Sequence, residues 1–411
     1  MRALFTVADG GYSHLYPLVP LARDLESRGH AVAVVAPLRL SEAAIRLGLR
    51  AIPLPQLPLP QLPLPSADDH QDRLPRDAMS PHPAATPSLQ RARAAVRRYL
   101  NDAARHAGFV TSVARDWGAD VLVRESAAWA AWLAGELADI PVALYDYAPT
   151  PPRLMAMLLG DLFAEARAEV GLPADPALTT MYQWLHLLVG PPGWFPRRSI
   201  TPVTHVLQPP PPLGEAGQLP EWLAQPDRSL PCVYVTLGTM FHRTPGILDM
   251  IFRAVAGEPL QVVATVGPNA DPSRVPQVPP NVRLVGFMPQ TAEAALLTRA
   301  DAVVCHGGHG SILGALSHGL PIVSIPLGNA DDPTRIPGLE ALGAGIVVPE
   351  HARSAVAVRD ALGKILRDQH YRACARRAAD QMAALPAFSS AAALVERLAM
   401  QRRPVLRDVS P

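Results

Sequence analysis

The seven residues Cys305-His306-Gly307-Gly308-His309-Gly310-Ser311 carry the strongest chemical signal in the chain. The apolar run 301–305 leads into them, and a helical pattern starts at Ser311. Glycines between a strand and a helix let the backbone come close to a ligand, and the free N–H groups and dipole of the first helical turn add partial positive charge. A diphosphate suits such a turn. The segment has neither the lysine of a P-loop nor the G-x-G-x-x-G spacing of a dinucleotide site. Its spacing alone is equally compatible with a tight βα turn around a buried histidine.

Such a turn needs strands and helices that alternate around it. Residues 2–7 and 31–36 have the composition of short buried strands, and between them residues 17–28 carry helical periodicity ended by Gly29, which makes one βαβ unit. Further strands are expected at 120–123, 141–145, 232–237, 261–266, 282–285, 302–305 and 321–325, separated by helical stretches. The fold class is therefore α/β, with parallel sheets and helices on both faces. Residues 208–230 are dense in proline, four in a row at Pro209–Pro212, and read as a linker between an N-terminal domain 1–207 and a C-terminal domain 231–385, with a helix and tail at 386–411. Two such domains place a cleft between their carboxyl-edge loops, where open α/β sheets bind ligands. Residues 52–65 contain Gln-Leu-Pro-Leu-Pro twice, favouring extended polyproline geometry, and with 67–87 they form a long loop, either a lid or a disordered segment. Residues 153–193 read as largely helical and rich in large apolar groups, for the most part core, with a minority available to wall an apolar pocket.

Bulk properties exclude several roles. At 411 residues the chain can hold two domains. A net charge of +1 with 18% charged and 5% aromatic residues offers no nucleic-acid surface. Cys232, Cys305 and Cys374 are odd in number, far apart and set in or beside apolar segments, as buried thiols of a reducing compartment would be. The richest apolar window, 121–137, is broken by Arg124, Glu125 and Glu136, so no membrane span is expected, and with no signal core at the N-terminus the expected location is cytoplasmic.

Beyond the turn, Val-Tyr-Val-Thr-Leu-Gly-Thr at 233–239, Asn-Val-Arg-Leu-Val-Gly-Phe-Met-Pro-Gln at 281–290, Pro-Leu-Gly-Asn-Ala-Asp-Asp at 326–332 and Gly-Ala-Gly at 343–345 follow in a specific order. With these pieces the chain resembles, over nearly its whole length, the nucleotide-sugar-dependent glycosyltransferases of the UDP-glycosyltransferase superfamily, in their bacterial natural-product branch. The resemblance implies two facing Rossmann-like domains (the GT-B fold), the donor on the C-terminal half and the acceptor on the N-terminal half. It places the nucleobase on Phe287, Met288 and Gln290, with phenylalanine where tryptophan is common. The diphosphate falls on His306, Gly308, Gly310, Ser311 and Thr239, and the sugar hydroxyls on Asp331 and Asp332. It also makes His14, in Ser-His-Leu-Tyr-Pro at 13–17, the general base, with Glu125 as its orienting carboxylate; an unperturbed imidazole titrates near working pH. Read without the resemblance, His14 is a loop or core histidine in preference to a base, and Glu125 is equally a surface partner of Arg124.

The resemblance further implies an inverting, metal-independent transfer from a UDP- or dTDP-linked sugar to a hydroxyl of an apolar aglycone. No Asp-x-Asp occurs in the sequence, no cofactor beyond the sugar nucleotide is expected, and a homodimer is compatible with the chain. The alternatives are a sugar-nucleotide epimerase of the same fold and a non-catalytic helper of a partner glycosyltransferase. Asp332 stands where the family carries an amide, and a carboxylate only accepts hydrogen bonds. Two carboxylates at 331 and 332 suit the ammonium of an aminodeoxysugar, whereas a solvent-facing Asp332 would have no such preference. In a competition assay an aminosugar donor is accordingly expected to be consumed ahead of a glucose donor, and equal turnover removes the argument.

Overall fold

The computed structural model describes residues 1–56, 87–147, 149–214, 229–239, 241–242, 244–268, 270–327 and 335–407. Two all-parallel sheets organise it. The first contains β1 (Arg2–Thr6), β2 (Ala31–Ala36), β3 (Ala51–Pro53), β4 (Val121–Glu125), β5 (Val142–Asp146), β6 (Leu185–Val189) and β7 (Thr204–Leu207), in the order β3-β2-β1-β4-β5-β6-β7. The second contains β8 (Cys232–Thr236), β9 (Gln261–Thr265), β10 (Val282–Val285), β11 (Ala302–Cys305), β12 (Ile322–Ser324) and β13 (Gly345–Val347), in the order β10-β9-β8-β11-β12-β13. Helices cover both faces, so every residue of β4, β5, β6, β8 and β11 is buried. This explains why they are mostly apolar without alternating, and why their few polar residues, among them Arg124, Glu125, Asp146 and His186, are buried as well. In both sheets the strand order reverses beside the first strand of the domain, and the loops at that reversal open into a crevice.

Some of the sequence expectations need correction. Residues 153–193 are not largely helical: a helix, Pro152–Glu169, gives way to a 3-10 turn at Thr180–Tyr182 and then to β6. Leu-His-Leu-Leu-Val is apolar enough for either state, and pairing with β5 and β7 decides it. Ile52 and Pro53, read as the start of a polyproline stretch, pair with Val35 and Ala36 at the sheet edge, where a proline costs no ladder bond. Of the long loop expected over 52–87, residues 57–86 lie outside the described residues, as do 215–228 of the linker.

The sheets are joined in three ways. Gln208, at the start of the connection, donates its backbone N–H to Pro386 O at 2.9 Å and its side-chain amide to Ala383 O and Leu385 O. The helix Ser390–Gln401 then packs on the helix Val19–Ser27 and on β4 and β6, with His30 and Arg28 both paired to Glu396. The third joint is Trp194, from the loop after β6. It has no exposed surface, stacks on Phe195 (centroids 4.9 Å) and His309 (5.1 Å, 15° between planes), and donates Nε1–H to Arg335 O at 3.0 Å. Gly338, in the helix Arg335–Ala341, meets the Trp194 carbonyl so closely that any side chain there would collide with it. Replacing Trp194 with alanine should lower the unfolding free energy by about 3–5 kcal/mol, the cost of emptying a buried indole site. Guanidinium titration measures this, and a loss below about 1 kcal/mol would show that the indole is not what holds the halves together.

Candidate active site

The carboxyl ends of β1, β4 and β5 bring three side chains together. Glu125 ends β4, Tyr147 follows β5, and His14 sits on the short helix Tyr12–Leu15 that follows β1. His14 Nδ1 lies 3.2 Å from Glu125 Oε1. The Tyr147 hydroxyl donates to Glu125 Oε2 at 2.8 Å and lies nearer His14 Nδ1 (2.8 Å) than Nε2 (3.3 Å). Glu125 has no exposed surface and also accepts the backbone N–H groups of Ala8 (3.0 Å) and Ala127 (2.7 Å). A carboxylate survives burial only when donors of this kind surround it.

Burial alone pushes the Glu125 carboxyl up, but His14 and the two backbone donors outweigh it and hold the group below the usual carboxylate range. The pattern places Nδ1–H of His14 toward Glu125 and leaves Nε2 as the proton acceptor. Burial and the Glu125 charge hold the Tyr147 phenol well above its ordinary value, so it remains a donor. Behind it, Ser126 Oγ accepts Tyr147 N–H at 3.1 Å and donates to Asp146, which is itself 3.2 Å from His186 Nε2. Arg124 is buried and donates to the carbonyls of Glu125 and Ser126, so the expectation of a surface Arg124–Glu125 pair does not hold.

On the other side of the cleft the helix begins at His309, two residues before the expected Ser311, with Gly308 as its N-cap. The N–H groups of His309, Gly310 and Ser311 therefore have no acceptor within the helix. Gly307 takes φ +85°, a conformation that glycine adopts freely. The His306 ring lies beneath Gly238 and Gly308, both of which must be glycine because a Cβ would strike it, and it leans on Phe241 at 5.4 Å. Thr239 follows Gly238, so the β8 and β11 turns meet over this imidazole. Burial, then the Arg335 charge, lowers His306 to about 4, and the same causes in the same order lower His309 to about 3. Both are neutral near pH 7. His306 is thus a neutral hydrogen-bonding group, and the positive field at the turn comes from Arg335 and the helix amides.

The two sides touch. The His309 ring is 5.7 Å from the Tyr147 ring, and Tyr147 is itself bonded to His14, so the general-base candidate and the amide turn share one cleft. Gly310 is exposed, with open space where a side chain would be, and Ser311 is half-buried. Phe287 is 45% exposed, and Met288 packs half-buried against the main apolar cluster. Gln290 uses its side-chain oxygen to accept Leu213 N–H at 2.9 Å, tying the turn after β10 to the interdomain connection. Asp331 and Asp332 lie outside the described residues. Sequence reasoning missed Tyr147, Trp194, Arg335 and the His309 ring. Only His309 lay within a recognised motif, where it occupied the variable position.

Residues 251–398 match the family model of the erythromycin biosynthesis protein CIII-like C-terminal domain. The chain is 28% identical to 4'-demethylrebeccamycin synthase of Lentzea aerocolonigenes, over 94% of this chain and 97% of that one. It is 27% identical to 3-alpha-mycarosylerythronolide B desosaminyl transferase of Saccharopolyspora erythraea, over 98% and 99%. The crystal structure of the Streptomyces sp. SF2575 glycosyltransferase SsfS6, complexed with thymidine diphosphate, superposes with a TM-score of 0.71 at 27% identity, covering 97% of this chain and 99% of that one. By fold and kinship the chain is a glycosyltransferase, similar to those of bacterial natural-product pathways. The enzyme has the two-domain GT-B architecture of these relatives, and among its described residues no helix is long and apolar enough to cross a membrane.

The buried histidines give the enzyme a pH signature. An unfolded histidine takes a proton near 6.5, whereas native His306 takes one only near 4. The unfolded state therefore binds more protons between those values, and stability falls as pH drops through that window. Between pH 7 and 5 the loss from His306 should be about 2 kcal/mol. Denaturant midpoints at the two pH values should draw closer in His306→Gln, with His309 keeping its own share of the gap, and an unchanged gap would mean that the His306 imidazole is protonated in the native state.

Proposed function

We propose that the enzyme transfers a sugar from a dTDP- or UDP-linked donor to a hydroxyl of an apolar small-molecule aglycone, by a single inverting displacement that uses no metal. The observation that carries the proposal is the approach of the His14–Glu125–Tyr147 cluster to the His309 turn. The acceptor hydroxyl gives its proton to His14 Nε2 while its oxygen attacks the anomeric carbon. Glu125 holds the ring and stabilises the imidazolium that forms. The bond from anomeric carbon to phosphate oxygen breaks with its electron pair, and the nucleoside diphosphate leaves against the amides of residues 309–311 in the field of Arg335. Attack opposite the leaving group inverts the anomeric centre.

Support for a thymidine-linked donor comes from the SsfS6 complex, and support for a natural-product acceptor from the names of both relatives. Three free, buried cysteines fit a reducing, cytoplasmic setting. The decisive experiment separates chemistry from binding. His14→Ala should lower kcat by roughly a thousandfold, within the range for a lost general base, while the thermal shift produced by thymidine diphosphate stays intact. Tyr147→Phe, which keeps the ring against His309 and removes only the hydroxyl, should cost about tenfold in kcat. Simultaneous loss of turnover and nucleotide binding in His14→Ala would overturn the assigned division of labour.

A further inference from the structure

A cavity of about 210 Å³ opens where the two halves meet, away from the His14 cluster. From the N-terminal half come Tyr12 and Tyr16, flanking the His14 turn, and Ala43, Arg46 and Leu47, from the end of the helix Leu38–Arg46 and just beyond it. From the C-terminal half come Pro268 and Phe287. Tyr12 and Tyr16 stack on each other at 5.4 Å, with the Arg39 guanidinium 5.1 Å above the Tyr12 ring, so this wall is already fixed. Tyr16 and Arg46 line the same cavity, and burial, then Tyr12, push the Tyr16 phenol up while the Arg46 charge opposes them.

The distance across the sheet suits a nucleotide. Phe287 follows β10, three strands from β11 in the order β10-β9-β8-β11, and at the usual strand spacing this is about 14 Å. That is the reach of a nucleoside diphosphate whose phosphates lie at the β11 turn. A planar base resting on the exposed Phe287 face would meet Tyr16 and Arg46 from the opposite domain. Arginine has only donors, so it selects a base edge that carries carbonyl oxygens, and Ala43 and Leu47 offer apolar contact to a methyl group.

The geometry points to a nucleobase site completed by the N-terminal half: Tyr16 and Arg46 close over a thymine ring stacked on Phe287. This rests on the reading of the enzyme as a nucleotide-sugar transferase and adds that the donor is gripped by both domains. The acceptor side therefore takes part in choosing the nucleotide.

The test is calorimetric titration of the full chain with thymidine diphosphate, uridine diphosphate and inorganic pyrophosphate. Arg46 is exposed at a helix end, so Arg46→Ala should retain the native melting temperature. In that variant the Kd for thymidine diphosphate should rise about tenfold, the loss of one charged hydrogen bond, while the Kd for pyrophosphate stays the same. Tyr16→Leu, which keeps the apolar volume, should also weaken the nucleotide and leave pyrophosphate alone. A change of less than about twofold in Arg46→Ala, with wild-type binding intact, overturns this inference alone. So does an effect confined to the KM of the acceptor, which would make the cavity an acceptor subsite. Failure of the wild-type chain to bind either nucleoside diphosphate overturns the inference together with the reading beneath it.

Discussion

Trp194 holds the carboxyl edges of the two sheets at a distance where their side chains can act on one another. Its indole is shut away from solvent between Phe195 and His309, and it is pinned by a single donor bond to Arg335 O. Stacked rings bury large apolar areas at low entropic cost, and interiors packed this tightly do not yield continuously. With the indole in place, Tyr147 reaches His309 on one side and His14 on the other. Without it, the amide turn and the His14 imidazole would keep their domains' other joints and lose this one packed contact between the two edges.

A second constraint is electrostatic. Glu125 is the last residue of a fully buried strand, a position at which a charge is tolerated only when its hydrogen-bonding capacity is met. His14, Tyr147 and two backbone amides meet it, and in doing so they orient the imidazole. Across the cleft the arrangement is reversed. His306 and His309 are kept neutral by burial and by Arg335, so the turn presents amide dipoles and one guanidinium field to an incoming anion. In the proposed reaction the proton-accepting and anion-holding tasks fall to groups in opposite electrostatic surroundings.

Much of this was legible in the sequence, for reasons that can be traced. The turn at 305–311 announced itself because glycine at Gly307 and Gly308 answers to backbone conformation and to the packed His306 ring. Most strands were visible as short apolar runs, since parallel strands covered on both faces cannot alternate. β6 was not, because Leu185–Val189 sits in a region of helical composition and only neighbouring strands assign it. Tyr147 was hidden for a different reason. A single aromatic one residue beyond a strand carries no spacing signal, and its role exists only once His14, Glu125 and His309 converge in space. Arg335 acts through its field on residues remote in sequence, a relation that no local pattern records.

The backbone crosses between the two halves twice, once after Leu207 and again near Pro386, and the returning segment is sewn into the first sheet by Glu396 and by the bond from Val405 N–H to Trp184 O. Donor modules exchanged among such enzymes at one junction would thus carry a foreign C-terminal strap onto the acceptor domain. Recombination that respects this seam requires two cuts, with residues beyond 386 inherited from the acceptor parent.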